Sequence, residues 1–181
     1  MKVLAVIPAR YQSTRLPGKP LLDIAGISMI RRVYLQCKKS NVFEKVIIAT
    51  DDARIEQECL MHNMDYQMTS TSHQNGTERC AEVLSSQTIN YDLVVNVQGD
   101  EPFIHPQSFE EIKAIFELNP KDEIGTLIKK IYKKEDVVTD SIIKVVFSND
   151  KKALYFSRST IPYLREMSVT EGIEKQIFYK H

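Results

Sequence analysis

Val3-Leu4-Ala5-Val6-Ile7-Pro8-Ala9-Arg10-Tyr11-Gln12-Ser13-Thr14-Arg15-Leu16-Pro17-Gly18-Lys19-Pro20 decides the fold. The unbroken apolar run at 3–7, stopped by Pro8, predicts a short strand buried on both faces, as in a parallel sheet. Residues 10–20 hold prolines, a glycine and small hydroxyl residues, so the strand runs out into a loop. That loop carries three cations, Arg10, Arg15 and Lys19. Fixed positive charge beside backbone donors suits a triphosphate, and arginine adds a planar fork for its oxygens. The spacing is neither a P-loop nor a dinucleotide fingerprint, both of which need more glycine. By charge alone, a basic surface loop fits equally well.

Strand and helix alternate from there onward. Residues 27–39 have apolar positions at helical spacing, 46–49 read as a strand, and Thr50, Asp51 and Asp52 provide caps for a helix to His62. Residues 66–68 read as a strand, 78–86 as a helix, 93–97 as a buried strand, 106–118 as an amphipathic helix and 124–128 as another strand. The lysines within 129–134 predict a solvated surface. Residues 142–147 and 153–156 close the series as strands around a turn at 148–150, with Tyr155 and Phe156 expected in the core. This order predicts a single α/β domain over 1–181, with a mostly parallel, mixed sheet covered by helices. Ligands in such sheets bind beyond the C-terminal strand edges, here the segments starting at Pro8, Thr50, Thr69 and Gln98.

With 43% hydrophobic and 27% charged residues and zero net charge, nothing global points to nucleic acid or a membrane surface. Residues 1–40 are locally basic, eight cations against Asp23 alone, which fits an anionic ligand or a solvated helix face. Cys37, Cys59 and Cys80 contain no CxxC pair and fall in helical stretches, predicting buried, inert thiols and a reducing compartment. With no signal-peptide or membrane-spanning pattern, the expected location is the cytoplasm.

The order Ile7-Pro8-Ala9-Arg10-Tyr11 followed by Ser13-Thr14-Arg15-Leu16-Pro17-Gly18-Lys19 resembles the first motif of the 3-deoxy-manno-octulosonate (Kdo) cytidylyltransferases, also called CMP-Kdo synthetases. Further segments resemble the same family in the same order: Ala49-Thr50-Asp51-Asp52, His73-Gln74-Asn75-Gly76-Thr77-Glu78-Arg79, Val95-Asn96-Val97-Gln98-Gly99-Asp100-Glu101-Pro102, and Ala153-Leu154-Tyr155-Phe156-Ser157-Arg158-Ser159-Thr160-Ile161-Pro162. The chain departs from the family at Asn75, where serine is commoner, and at Ser70, where many members have arginine.

The resemblance implies a three-layer α/β/α, Rossmann-like nucleotide-diphospho-sugar transferase fold. It implies Mg²⁺-dependent transfer of CMP from CTP to the anomeric hydroxyl of Kdo, or of an amino-substituted analogue, for lipopolysaccharide synthesis. By the same likeness Arg10, Arg15, Lys19 and Asp100 are the catalytic candidates, and Asp100 is the Mg²⁺ ligand. Ala9, Arg10, Ser13, Lys19, Ser72, Gly76 and Arg79 are the nucleotide candidates, with Arg79 the base-reading side chain. Gln98, Arg158, Arg165 and His181 are the sugar-acid candidates. The residue chemistry agrees for Asp100, since Mg²⁺ takes one or two carboxylates and fills its other positions with phosphate and water. The family's sequence continues past the position of His181, with a second metal-binding aspartate and further sugar contacts. The chain is therefore expected to be C-terminally incomplete relative to the family, and the alternatives are a non-catalytic nucleotide-binding paralogue or a cytidylyltransferase for another sugar acid. The complete protein is expected to pair as a homodimer.

Overall fold

The structure is a computed structural model and describes residues 1–12 and 16–181. Its contacts gather in two compact units, Met1–Ala114 and Ile115–His181.

The first unit is built on four parallel strands: β1 (Val3–Ala9), β4 (Lys45–Thr50), β5 (Tyr66–Met68) and β6 (Leu93–Asn96), in the order β5-β4-β1-β6. β1 lies inside, pairing Leu4 with Lys45 on one side and Val3 with Leu93 on the other. Its side chains alternate between two buried clusters, as the period of two requires. Val3, Ala5 and Ile7 pack with Ile30, Val33 and Cys37 of helix α1 (Met29–Lys38) and with Ile55 and Cys59 of α2 (Ala53–Met61). Leu4 and Val6 pack with Cys80 and Val83 of α3 (Gly76–Ser85). Helices thus cover both faces of the parallel sheet, the expected three-layer α/β/α arrangement. β6 is an edge strand of this sheet, so Val94 and Val95, expected to be buried, are only partly so.

Local chemistry sets the element ends. The helix predicted from Ile27 begins at Met29, because Ile27–Ser28 (β3) pairs back onto Asp23–Ile24 (β2). Ala25 (φ 50) and Gly26 (φ 80) form the two-residue turn, a conformation that hairpins with both central residues at positive φ require. The side chain of Ser28 then caps α1. Asp52 caps α2, as expected, by accepting from the Arg54 N–H at 3.0 Å. Asn75 caps α3 by accepting from the Glu78 N–H at 2.9 Å. A serine could fill the same role, which accounts physically for that departure from the family pattern. Cys37, Cys59 and Cys80 are all buried free thiols, and burial pushes them up to about 12, about 12 and about 11. Helix α4 (Pro106–Leu118) contributes Phe109 to the first unit's core.

The second unit has its own antiparallel sheet of β7 (Lys129–Lys130), β8 (Lys144–Phe147), β9 (Ala153–Ser157) and β10 (Tyr179–Lys180), in the order β7-β10-β8-β9. Three expectations are corrected here. The strand predicted at 124–128 does not form, because the backbone finds a ladder partner only at Lys129 and Lys130, which pair with β10. The lysine-rich stretch 129–134, expected to be simply solvated, therefore includes a strand, and Ile131 within it is buried. Tyr155 and Phe156, expected in the core, are 63% and 41% exposed, because β9 is an edge strand. Helices α5 (Lys134–Val138) and α6 (Val169–Glu174) complete the unit around Ile131, Val137 and Phe178. Among the described residues no helix is long and apolar enough to cross a membrane.

Candidate active site

With β1, β4, β5 and β6 parallel, their C-terminal ends share one sheet edge. The segments beginning at Pro8, Thr50, Thr69 and Gln98 leave from that edge, as expected. A cleft of about 760 Å³ opens there, lined by Arg10, Tyr11, Gln12, Pro17, Asp51, Asp52, Arg54 and Thr71.

Ala9 is buried as the last residue of β1. The Arg10 guanidinium donates to the His73 carbonyl, tying the first loop to the third. The loop closes on itself through the Gly18 N–H, which donates to the Tyr11 carbonyl at 2.8 Å. Gly18 sits at φ 72, and its bare Cα faces the Tyr11 ring, where a Cβ would lie 3.1 Å from the phenol carbon. Lys19 follows in a 3-10 turn (Lys19–Leu21), and its ammonium meets the Asp100 carboxylate at 2.6 Å. Ser13 and Arg15 lie outside the described residues.

In the third segment Ser72 is exposed, with its hydroxyl 2.7 Å from that of Ser70. The His73 ring meets the Glu82 carboxylate. The Ser70 N–H first, and then that ring, hold the Glu82 carboxyl below its usual range. Gly76 opens α3 close to Pro8. Arg79 corrects an expectation. Its side chain is 0% exposed, donating to Asp51 at 2.7 Å and to the Thr69 hydroxyl. It ties the ends of β4 and β5 to α3 and does not present an open fork to a base.

One cleft residue, Arg54, was missed by sequence reading. Arg54 stacks 3.2 Å over the centroid of Tyr11 and forms a two-pronged ion pair with Asp52, at 2.8 and 2.7 Å. That pairing holds the Asp52 carboxyl below the usual carboxylate range. An arginine in the first turn of a helix gives no sequence signal that distinguishes it from a solvated one.

The cytidylyltransferase family model matches residues 4–181. The 3-deoxy-manno-octulosonate cytidylyltransferase of Parabacteroides distasonis is 45% identical over all of this chain and 72% of its own length. The enzyme of the same name from Cytophaga hutchinsonii is 42% identical over the same shares. A solved structure of CMP:2-keto-3-deoxy-manno-octonic acid synthetase complexed with CTP matches with a TM-score of 0.89 and 40% identity, over all of this chain and 71% of that one.

The chain belongs to the 3-deoxy-manno-octulosonate cytidylyltransferase family.

The segment that bears Asp100, the expected metal ligand, leaves β6 and turns where the Glu101 N–H donates to the Gln98 carbonyl at 3.2 Å. Gly99 permits this turn to press on β1, since a Cβ there would lie 2.9 Å from the Pro8 carbonyl oxygen. Gly99→Ala is accordingly expected to cost about 1–3 kcal/mol and to displace Asp100. A thermal melt checks this, and an unchanged midpoint contradicts it. Among the described residues no three His, Cys, Asp or Glu side chains gather as a metal cluster. Asp100 alone, half-exposed and carrying a hard oxygen donor, still fits a cation that draws its other ligands from phosphate and water.

Of the family's sugar-acid candidates, Gln98 is exposed in the first unit. Arg158, Arg165 and His181 belong to the second unit. The Arg158 guanidinium donates to the Asp140 carbonyl at 2.7 Å, and the Arg165 side chain is exposed. The His181 ring lies 2.9 Å from the Thr126 hydroxyl and edge-on to Phe156. Lys144, which sequence reading passed over, is fully buried and donates to the carbonyls of Thr139 at 2.7 Å, Ile142 at 2.9 Å and Arg158. Burial pushes its pKa down, and its three acceptors fix the backbone that carries Arg158.

Proposed function

We infer that this chain transfers CMP from CTP to the anomeric hydroxyl of Kdo, with CTP held at the C-terminal edge of the parallel sheet. The observation that carries this reading is the whole-chain match to a synthetase structure holding CTP, together with the first unit's motif segments, which leave one edge of its parallel sheet. The hydroxyl oxygen bonds to the α-phosphorus as the bridging bond to the β-phosphate breaks. Pyrophosphate leaves with the electron pair, and the hydroxyl proton passes to solvent.

The chain's part in this is positioning and charge. Lys19 and Arg10, both from the first loop, neutralise the triphosphate. The backbone at Ala9 and in the segment from Ser72 to Gly76 reads the base. For the sugar acid, whose carboxylate suits an arginine fork, the second unit offers Arg158, Arg165 and His181, and the first unit separately offers Gln98. Asp100 would hold Mg²⁺, which supplies screening of charge at the α-phosphate when bound. Service in lipopolysaccharide synthesis, a cytoplasmic location and pairing as a homodimer complete the proposal. The exposed apolar Leu154, Tyr155 and Phe156 along β9 support the pairing.

Cytosine presents an exocyclic amine where uracil presents an acceptor, so backbone carbonyls at the base site reject UTP. CTP is expected to bind at least about tenfold more tightly than UTP or ATP, the worth of one or two well-made hydrogen bonds. Calorimetry giving equal affinities for all three would leave only a phosphate site.

A further inference from the structure

Lys19 and Asp100 stand 81 positions apart, yet the Lys19 Nζ lies 2.6 Å from the Asp100 Oδ2. Both ends are set by backbone. Lys19 follows the left-handed Gly18, and the Gly18 carbonyl accepts from the Leu21 N–H at 2.9 Å. Asp100 rides the turn that Gly99 allows to press against Pro8. The two side chains are 38% and 50% exposed, so both remain open to ligands arriving from solvent. They are also the groups that a triphosphate and its cation would each require, and here each occupies the other.

We propose that the Lys19–Asp100 ion pair is a latch that couples cation binding to triphosphate binding. The proposal rests on the assignment of this site to CTP. A divalent cation drawn to Asp100 frees the Lys19 ammonium for the phosphates, and phosphates drawn to Lys19 free the carboxylate for the cation. Each ligand removes an obstacle to the other, and the coupling is reciprocal. The latch also disfavours nucleotide that arrives without its metal. An exposed ion pair makes it a light one, about two- to five-fold in affinity.

Calorimetric titration of CTP into the chain, in EDTA and in Mg²⁺, tests this. Removing the carboxylate of a phosphate site's own cation ligand should here tighten metal-free binding: Asp100→Asn is expected to bind CTP in EDTA about two- to five-fold more tightly than wild type. Its further gain on adding Mg²⁺ should be smaller than wild type's. In a Lys19→Met background the EDTA gain from Asp100→Asn should vanish, since no ammonium is left to free. Two results overturn the latch alone: Asp100→Asn no tighter than wild type in EDTA, or an undiminished gain in the Lys19→Met background, which is simple relief of charge repulsion. Wild type binding no CTP under either condition overturns the CTP assignment and the latch together, which keeps the two failures distinguishable.

Discussion

Asp100→Asn is expected to lower Mg²⁺-supported pyrophosphate release by about 10²-fold or more, with CTP affinity in Mg²⁺ changed far less. Asparagine keeps the shape and one acceptor oxygen, so the turn from Gln98 to Glu101 and its contact with Pro8 should persist. What is lost is the negative charge that a small, reluctantly dehydrated cation demands. The attacking hydroxyl would then meet an α-phosphate whose charge is poorly screened. The groups proposed to read the base lie on other segments, around Ala9 and from Ser72 to Gly76, so nucleotide should still dock. Steady-state kinetics beside CTP calorimetry separates the two effects. Full turnover of the variant at ordinary Mg²⁺ would remove the carboxylate from the mechanism.

Arg79→Met should destabilise the fold by about 3–5 kcal/mol, the range for breaking a buried ion pair from one side. At this chain length that corresponds to a melting point lowered by roughly 10 °C. The size follows from geometry. The side chain is 0% exposed, its guanidinium is committed to Asp51 and Thr69, and Nε has no partner among the described residues. Methionine would leave Asp51, itself only 18% exposed, facing an apolar side chain. Adding Asp51→Asn should recover part of the loss, because the unpaired charge is what costs most. A variant that melts like wild type and fails to bind CTP would restore Arg79 as a base reader and contradict its placement here.

Arg79 also marks the limit of what the residues disclose. Helical spacing placed it on α3, but whether an arginine faces solvent or reaches inward to Asp51 depends on how β4, β5 and α3 meet. The Lys19–Asp100 pair has the same character, since no local pattern joins residues 81 positions apart. The strand at β1 was legible because an unbroken apolar run has few alternatives, and the cap at Asp52 because its hydrogen bond is local. The reading at 124–128 failed because apolar content is not a ladder: Ile124 is 90% exposed, and no strand pairs with it among the described residues. Helix α6 passed unread although its capping box, Ser168 with Glu171, stood in the sequence. The loops at the sheet edge were located from strand order alone, while the residue roles within them came largely from the family likeness. Lys144, buried beneath Arg158, carried no signal in either.

The decisive measurement is pyrophosphate release from CTP with and without Kdo, with Mg²⁺ present and the nucleotide product followed by mass spectrometry. Release should require Kdo and should match CMP-Kdo formed one for one. A chain that binds CTP yet forms no CMP-Kdo and releases no pyrophosphate when Kdo is added would contradict its reading as a Kdo cytidylyltransferase.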